Sequence, residues 1–225
     1  SGRVLSTSID KYIYVVIKRQ IGIVEHKYRV NWSKVEFCDH INDIEHPIVR
    51  EALKMFQIDF PIEITTFTEI PGQTGLGSSS AFAVGLVHAL HAIKGEMVTK
   101  HTLASEAAHI EVDLLGRAMG KQDHYAAAFG GLNSIRFLSD GGVTVCPIGS
   151  SGGLEDCLFP HLMMLYTGVS RDAGSVLAQQ RDNAVGLFGK LGEMKCHAHQ
   201  LESMLKGEFS LSRFGELLHG NWMHK

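Results

Sequence analysis

Pro71-Gly-Gln-Thr-Gly-Leu-Gly-Ser-Ser-Ser80 is the stretch on which the fold turns. Gly72, Gly75 and Gly77 permit positive φ and close backbone approach, so successive amides can point into one concavity. Ahead of it, Ile62 to Thr68 alternates apolar and polar residues, with Ile62, Ile64 and Thr66 on one face, as a half-buried strand does. Behind it, Ser79 to Ile93 reads as a helix whose free N–H groups and positive dipole end would face the same concavity. Strand, glycine turn and serine-rich helix start together make an anion site suited to phosphates.

Competing readings of the turn separate on single residues. A Walker A loop needs G-x-x-x-x-G-K-[ST]; Gly72 and Gly77 have that spacing, but Ser78 stands where the lysine belongs, so the charge that reaches the outer phosphates is missing. A dinucleotide fingerprint fails at Ser80, which occupies the third glycine's place. An ordinary glycine-rich loop stays open as a reading, against three serines stacked at a helix start.

Working outward, Val4 to Ile9 and Tyr12 to Lys18 are β-branched and aromatic runs that read as paired strands, and Tyr28 to Phe37 as another strand or two. His46-Pro47 opens an amphipathic helix, since proline suits the first helical position. Thr99 would cap a further helix ending before Gly116. Leu132 to Phe137, Val143 to Pro147 and Leu162 to Tyr166 read as strands, and Asp172 to His224 as mostly helical, broken near Gly186 to Gly192 and at Gly207. Strands, helices, then strands and helices again favour an α+β layered fold over a regularly alternating parallel sheet.

With 225 residues the chain can bury a sizeable core, in one large domain or one and a half. A formal charge of −3 argues against a nucleic-acid partner, which asks for a basic face. No apolar run approaches the ~20 residues that span a bilayer, and no signal peptide opens the chain, so no membrane partner is expected. Cys38, Cys146, Cys157 and Cys196 are scattered without a C-x-x-C pair, which reads as thiols in a reducing cytoplasm rather than a disulfide framework or zinc site.

Downstream, Glu111 falls on the helix that follows Thr99, and Asp123 beyond its glycine-terminated end. Phosphoryl transfer needs a metal bridging the phosphates and a group that orients or deprotonates the acceptor hydroxyl. A helix carboxylate and a loop carboxylate converging on a phosphate loop would supply both, although spacing alone leaves Asp123 open as a turn cap. Glu106-x-x-His109 has the spacing of half a di-iron site but lacks the second pair. His109 and Asp113, at i and i+4, read as a helix-surface pair. Ser8-x-x-Lys11 lacks the partner motifs of penicillin-binding enzymes, and Lys11 could instead face an active site from its strand and lower an acceptor pKa.

Pro71 to Ala81 resembles the second motif of the GHMP kinases, P-x-x-x-G-L-G-S-S-A-A, with Ser80 in place of the first alanine. The resemblance implies that Pro71, Gly72, Gly75, Leu76, Gly77, Ser78, Ser79 and Ser80 wrap the phosphates of ATP and that Ser79 ligates Mg2+. Gly120-Lys-Gln-Asp123 resembles the segment carrying the family's base or orienter, so Asp123 takes that role toward the substrate, and Glu111 matches the second magnesium ligand. Lys11 would act beside them. Val4 to Tyr12, Ile44 to Ala52, Gly120 to Gly131 and Tyr166 to Arg171 together are similar to the family's heptose 7-phosphate kinase branch.

That branch implies transfer of the γ-phosphoryl group of ATP to the anomeric hydroxyl of D-glycero-D-manno-heptose 7-phosphate in the cytoplasm. Arg171 would hold the sugar's existing phosphate, a guanidinium fork suiting that anion, with a structural salt bridge equally open. A kinase for fucose, galactose or another hexose, or a catalytically silent sugar- and nucleotide-binding regulator, are the alternatives. The fold implied is a ribosomal-protein-S5-like nucleotide-binding domain over residues 1–158, then the start of a ferredoxin-like domain over 159–225. The family's first motif would precede Ser1 and its last would follow Lys225, and a monomer or homodimer is expected.

Overall fold

The computed structural model describes residues 2–72, 74–148, 153–166, 168 and 184–223. In chain order the strands are β1 (Gly2–Thr7), β2 (Ile13–Arg19), β3 (Tyr28–Asn31), β4 (Val35–Cys38), β5 (Ile62–Thr68), β6 (Leu132–Phe137) and β7 (Val143–Pro147). The α-helices are α1 (Pro47–Met55), α2 (Ser78–Ile93), α3 (Lys100–Ala108), α4 (Gln122–Phe129), α5 (Leu154–Leu158), α6 (Ala184–Lys206) and α7 (Leu211–Met223). This is an α+β architecture, and it divides into two compact units. No helix among the described residues is long and apolar enough to cross a membrane.

One unit is built on Asp10–Phe129. Its sheet runs β2-β5-β3-β4, with β3 and β5 parallel and the other neighbours antiparallel. A parallel pair needs a crossover, and α1 lies on that connection. The crossover starts where the sequence places it: Pro47 sits at the first position, and His46 caps the helix by accepting from the Val49 amide at 3.4 Å. Ile48, Val49, Ala52 and Leu53 bury one face of α1. On β5, Ile62 and Ile64 point into the core and Glu63 and Thr65 away from it, as the alternation predicts. Leu86 and Leu90 of α2 are fully buried, each worth about 1.5–3 kcal/mol. A Cβ on Gly85 would lie 3.2 Å from Val15 Cγ2, so the glycine lets α2 settle onto β2.

Two details of this unit aim the later residues. Thr99 caps α3, its hydroxyl accepting from the Thr102 amide at 3.1 Å. His91, buried near the end of α2, reaches Glu96 through Nδ1 and Glu106 on α3 through Nε2, both at 2.7 Å. Glu106 therefore serves a tie between helices rather than pairing with His109.

The other unit joins Gly2–Ile9 to described residues from Gly130 onward. Its sheet is β1-β6-β7, antiparallel throughout, with Gly2 opposite Phe137 and Thr7 opposite Leu132. The Ser8 amide donates to the Gly131 carbonyl at 3.1 Å, and the Gly131 amide to Ser8 Oγ at 2.8 Å. Ile148, Leu154, Leu158, Leu205 and Phe214 form its small core. Beside that core, buried Glu202 of α6 takes hydrogen bonds from Arg3 of β1, from Arg136 of β6 at 3.1 Å and from Lys206 at 2.7 Å.

Burial pushes the Glu202 carboxyl up, but its bonds to Lys206 and Arg136 and the Arg3 charge more than offset this and hold it at about 2. A carboxylate held below its ordinary 4.5 stabilises the fold fully above that value, and the contribution is lost as pH falls toward 2. Glu202→Gln should therefore cost roughly 2–3 kcal/mol in urea unfolding at neutral pH, with the deficit shrinking at pH 3. An unchanged midpoint at pH 7 would remove this carboxylate from the account of stability.

Several sequence expectations are corrected here. The strands at the N-terminus form, but not with each other: β1 pairs with β6 and β2 with β5. Leu162 to Tyr166 is irregular and exposed rather than a strand, and the Leu162 amide turns back to the Phe159 carbonyl at 3.1 Å instead of joining a ladder. Gly189 and Gly192 do not break α6, which runs on to Lys206 before Gly207. Gln122 to Phe129 is a helix where only a loop is expected. All four cysteines are free thiols.

Candidate active site

The glycine turn ends at Gly77, in the left-handed region at φ 70°, and α2 begins at Ser78. Gly77 has no side chain with which to cap the helix, so the first-turn amides of α2 have no side-chain acceptor; the first helical bond is Ala81 N to Gly77 O, at 2.9 Å. Within the turn, Thr74 Oγ1 is enclosed without a hydrogen-bond partner. The absence of a Cβ at Gly77 has a second use. A Cβ there would lie 3.2 Å from Asp123 Cβ and 3.3 Å from Asp123 Cγ, so the glycine admits Asp123 against the loop.

Glu111 arrives by a less ordinary route. After Ala108 the helix widens into one π-helical turn, His109–Leu114, in which the Leu115 amide bonds back to Ile110 O at 3.0 Å. Such turns rotate the residues beyond them relative to a regular helix. The carboxylate that emerges is wholly buried, at 0% exposure. Its Oε1 accepts from Ser79 Oγ at 2.5 Å and from Arg117 Nη1, which also donates to Ser79 Oγ at 2.8 Å. Its Oε2 meets His124 Nε2 at 2.8 Å, and His124 is likewise 0% exposed, with Nδ1 unpartnered.

The two carboxylates are driven apart electrostatically. Burial raises the Glu111 carboxyl, but hydrogen bonds from His124 and Ser79, with the His124 and Arg117 charges, bring it below the ordinary range. Burial raises Asp123, and the opposing pull of His124 and Gln122 does not cancel it. One group is thus held ionised while its neighbour is tuned toward accepting a proton, a division found where carboxylates have different tasks.

A ring cluster borders the same helix start. The His46 ring centroid lies 4.8 Å from that of Trp32 and 5.0 Å from that of Phe82 on α2. Burial lowers His46, with Arg117 pushing the same way against Glu36 and Glu111, so the neutral ring can accept the Val49 amide. Trp32 is anchored by Nε1 to Glu36 Oε1 at 2.6 Å.

The structure brings together Gly77, Ser79, Glu111 and Asp123 among the residues expected from sequence. Lys11 is elsewhere in its pairing: it faces Glu69 at 3.9 Å, outside the network of Ser79, Glu111, Arg117 and His124. His109 and Asp113 pair with each other at 2.8 Å on an exposed face. Arg171 lies outside the described residues. Sequence reasoning missed Arg117, His124, His46 and Trp32. The one available signal was His124's place beside Asp123, since adjacent helical residues share whatever positions the helix.

A hydroxyl and a carboxylate oxygen side by side suit a hard cation, and a cationic guanidinium already rests on both. Among the described residues no group of three or more His, Cys, Asp or Glu could enclose a metal by itself. An ion here would complete its shell from phosphate oxygens and water, as magnesium does, and the residues fit that ion.

Residues 47–131 match the model of the GHMP kinases N terminal domain, a span that encloses the glycine turn, the π turn and α4. The chain is similar to D-glycero-alpha-D-manno-heptose 7-phosphate kinase of Campylobacter jejuni, 28% identical over 204 residues that cover 87% of this chain and 58% of the relative. It is also similar to L-fucokinase/L-fucose-1-P guanylyltransferase of Bacteroides fragilis, 28% identical over 201 residues, or 84% of this chain and 20% of that protein. The chain thus spans less than two thirds of the length of these curated relatives. Its fold is that of the D-glycero-D-manno-heptose 1-phosphate kinase structure from Bacteriodes thetaiotaomicron, with a TM-score of 0.70 at 21% identity over 99% of this chain and 70% of that one.

Proposed function

We propose that this chain is the ATP-binding part of a cytoplasmic kinase that transfers the γ-phosphoryl group to the anomeric hydroxyl of D-glycero-D-manno-heptose 7-phosphate. The observation that carries the reading is one convergence. A single glycine position joins an uncapped helix start, the Ser79–Glu111 oxygen pair and Asp123. The Campylobacter relative's name supports the acceptor.

In this reading the amides of the turn and the first turn of α2 hold the ATP phosphates. Magnesium, held by Ser79 Oγ and Glu111, would neutralise charge on the β- and γ-phosphates. The acceptor hydroxyl oxygen forms the new bond to γ-phosphorus as the bond to the β,γ-bridging oxygen breaks, and that electron pair leaves with ADP. Asp123 orients the hydroxyl or takes its proton, and its raised pKa suits the task. In this reading Arg171 would take the sugar's phosphate, and Lys11 would have to turn from Glu69 to act on the acceptor. The rings of Trp32, His46 and Phe82 offer the nucleotide base an apolar edge. Residues 1–158 would form the nucleotide domain and 159–225 the start of the second, with no nucleic-acid or membrane partner.

A second reading, a fucose kinase, is favoured by the Bacteroides relative. The experiment is ADP release by the full-length protein with magnesium and ATP, offered heptose 7-phosphate, fucose, galactose, mevalonate and homoserine in turn. Turnover with the heptose phosphate alone is expected. Turnover with fucose alone would shift the acceptor, and ATP binding without turnover on any acceptor would point to a silent regulator.

A further inference from the structure

Arg117 carries a charge that no ordinary pH removes. Its Nη1 rests on both oxygens of the pair described above, 2.8 Å from Ser79 Oγ and in contact with Glu111 Oε1. A guanidinium and a divalent cation cannot share those oxygens, because their repulsion at such range is large in a partly buried site. Glu111 offers no alternative, since Oε2 is taken by buried His124. For a metal to enter, the guanidinium must leave.

The structure permits that motion at the side chain. Arg117 is 36% exposed and lies in the irregular stretch between the π turn and α4. Its backbone is fastened, with N to Glu111 O at 3.1 Å and O to the Met119 amide at 2.8 Å. The head group can therefore swing away without the loop moving. A phosphate arriving with the metal would give it a new anion to pair with, and guanidinium forks bind phosphate oxygens well.

We propose that Arg117 is a resident counter-cation that competes with divalent metal for Ser79 Oγ and Glu111 Oε1, so that metal enters with the nucleotide rather than ahead of it. The inference rests on the reading of Ser79 and Glu111 as metal-binding oxygens. Mn2+ binding without nucleotide, followed by electron paramagnetic resonance of the free ion, tests both in the full-length protein. Arg117→Ala should bind Mn2+ at least about tenfold more tightly than wild type, given the charge removed. The gain should vanish in Arg117→Ala/Ser79→Ala, and Arg117→Lys, which keeps a charge, should fall between. Free guanidinium ion should weaken Mn2+ binding to Arg117→Ala more than to wild type. Equal affinity in wild type and Arg117→Ala, with binding still lost in Ser79→Ala, overturns the competition and leaves the metal site standing. Binding indifferent to Ser79 in every variant overturns both.

Discussion

Asp123→Asn should lower kcat by roughly 10²–10⁴-fold, the usual worth of a positioned proton acceptor, while ATP affinity changes little. The amide keeps the shape that packs against Gly77 and leaves the Ser79–Glu111 pair untouched, so the loss isolates the acceptor side of the reaction. The pH dependence adds a second reading of the same residue. Burial raises the Asp123 carboxyl, so the acid limb of the wild-type kcat profile should lie above the ordinary carboxylate range. That limb should be missing from whatever activity the variant retains. A variant with wild-type kcat would leave Asp123 as a mere packing residue of the turn.

Glu111→Ala should be costlier to the fold. It strips buried His124 of its partner and leaves the Ser79 hydroxyl facing Arg117 alone, and breaking a buried pair typically costs about 3–5 kcal/mol. Magnesium-dependent turnover should disappear with it. Because the Glu111 carboxyl is lowered in the fold, its contribution is present above the ordinary carboxylate range and is lost as pH falls through the lowered value. Urea unfolding should therefore separate wild type from Glu111→Ala widely at pH 7 and less in strong acid. A difference under about 1 kcal/mol at pH 7 would mean that the buried network relaxes freely and that Glu111 does not hold His124 and Ser79 in place.

Much of the fold is local and was legible for that reason. The alternation of β5, the Pro47 and Thr99 helix starts and the glycine turn are each written within a few residues. What failed was non-local. Val4 to Ile9 and Tyr12 to Lys18 read as neighbours because they are adjacent in the chain, yet strand partners are chosen by burial across the whole fold. The helix over Gln122 to Phe129 was hidden by the glycines on either side, although its run of alanines favours helix. At the site, Ser79, Glu111 and Asp123 could be named from motif and chemistry. Arg117 could not, since a π turn leaves no periodic trace and a buried ion pair has no sequence spacing of its own, and His124 offered only its place beside Asp123.

The hydrogen bonds between Ser8 and Gly131 mark where the chain leaves one unit and returns to it. During synthesis this has a cost in time. β1 emerges well before its partner β6, which begins only at Leu132. At roughly 5–20 residues per second, β1 waits on the order of ten seconds as an unpaired strand while the intervening segment folds first. Through that interval its edges are open to other nascent chains, so the yield of folded protein in cells should depend on chaperone capture of the unpaired β1 segment.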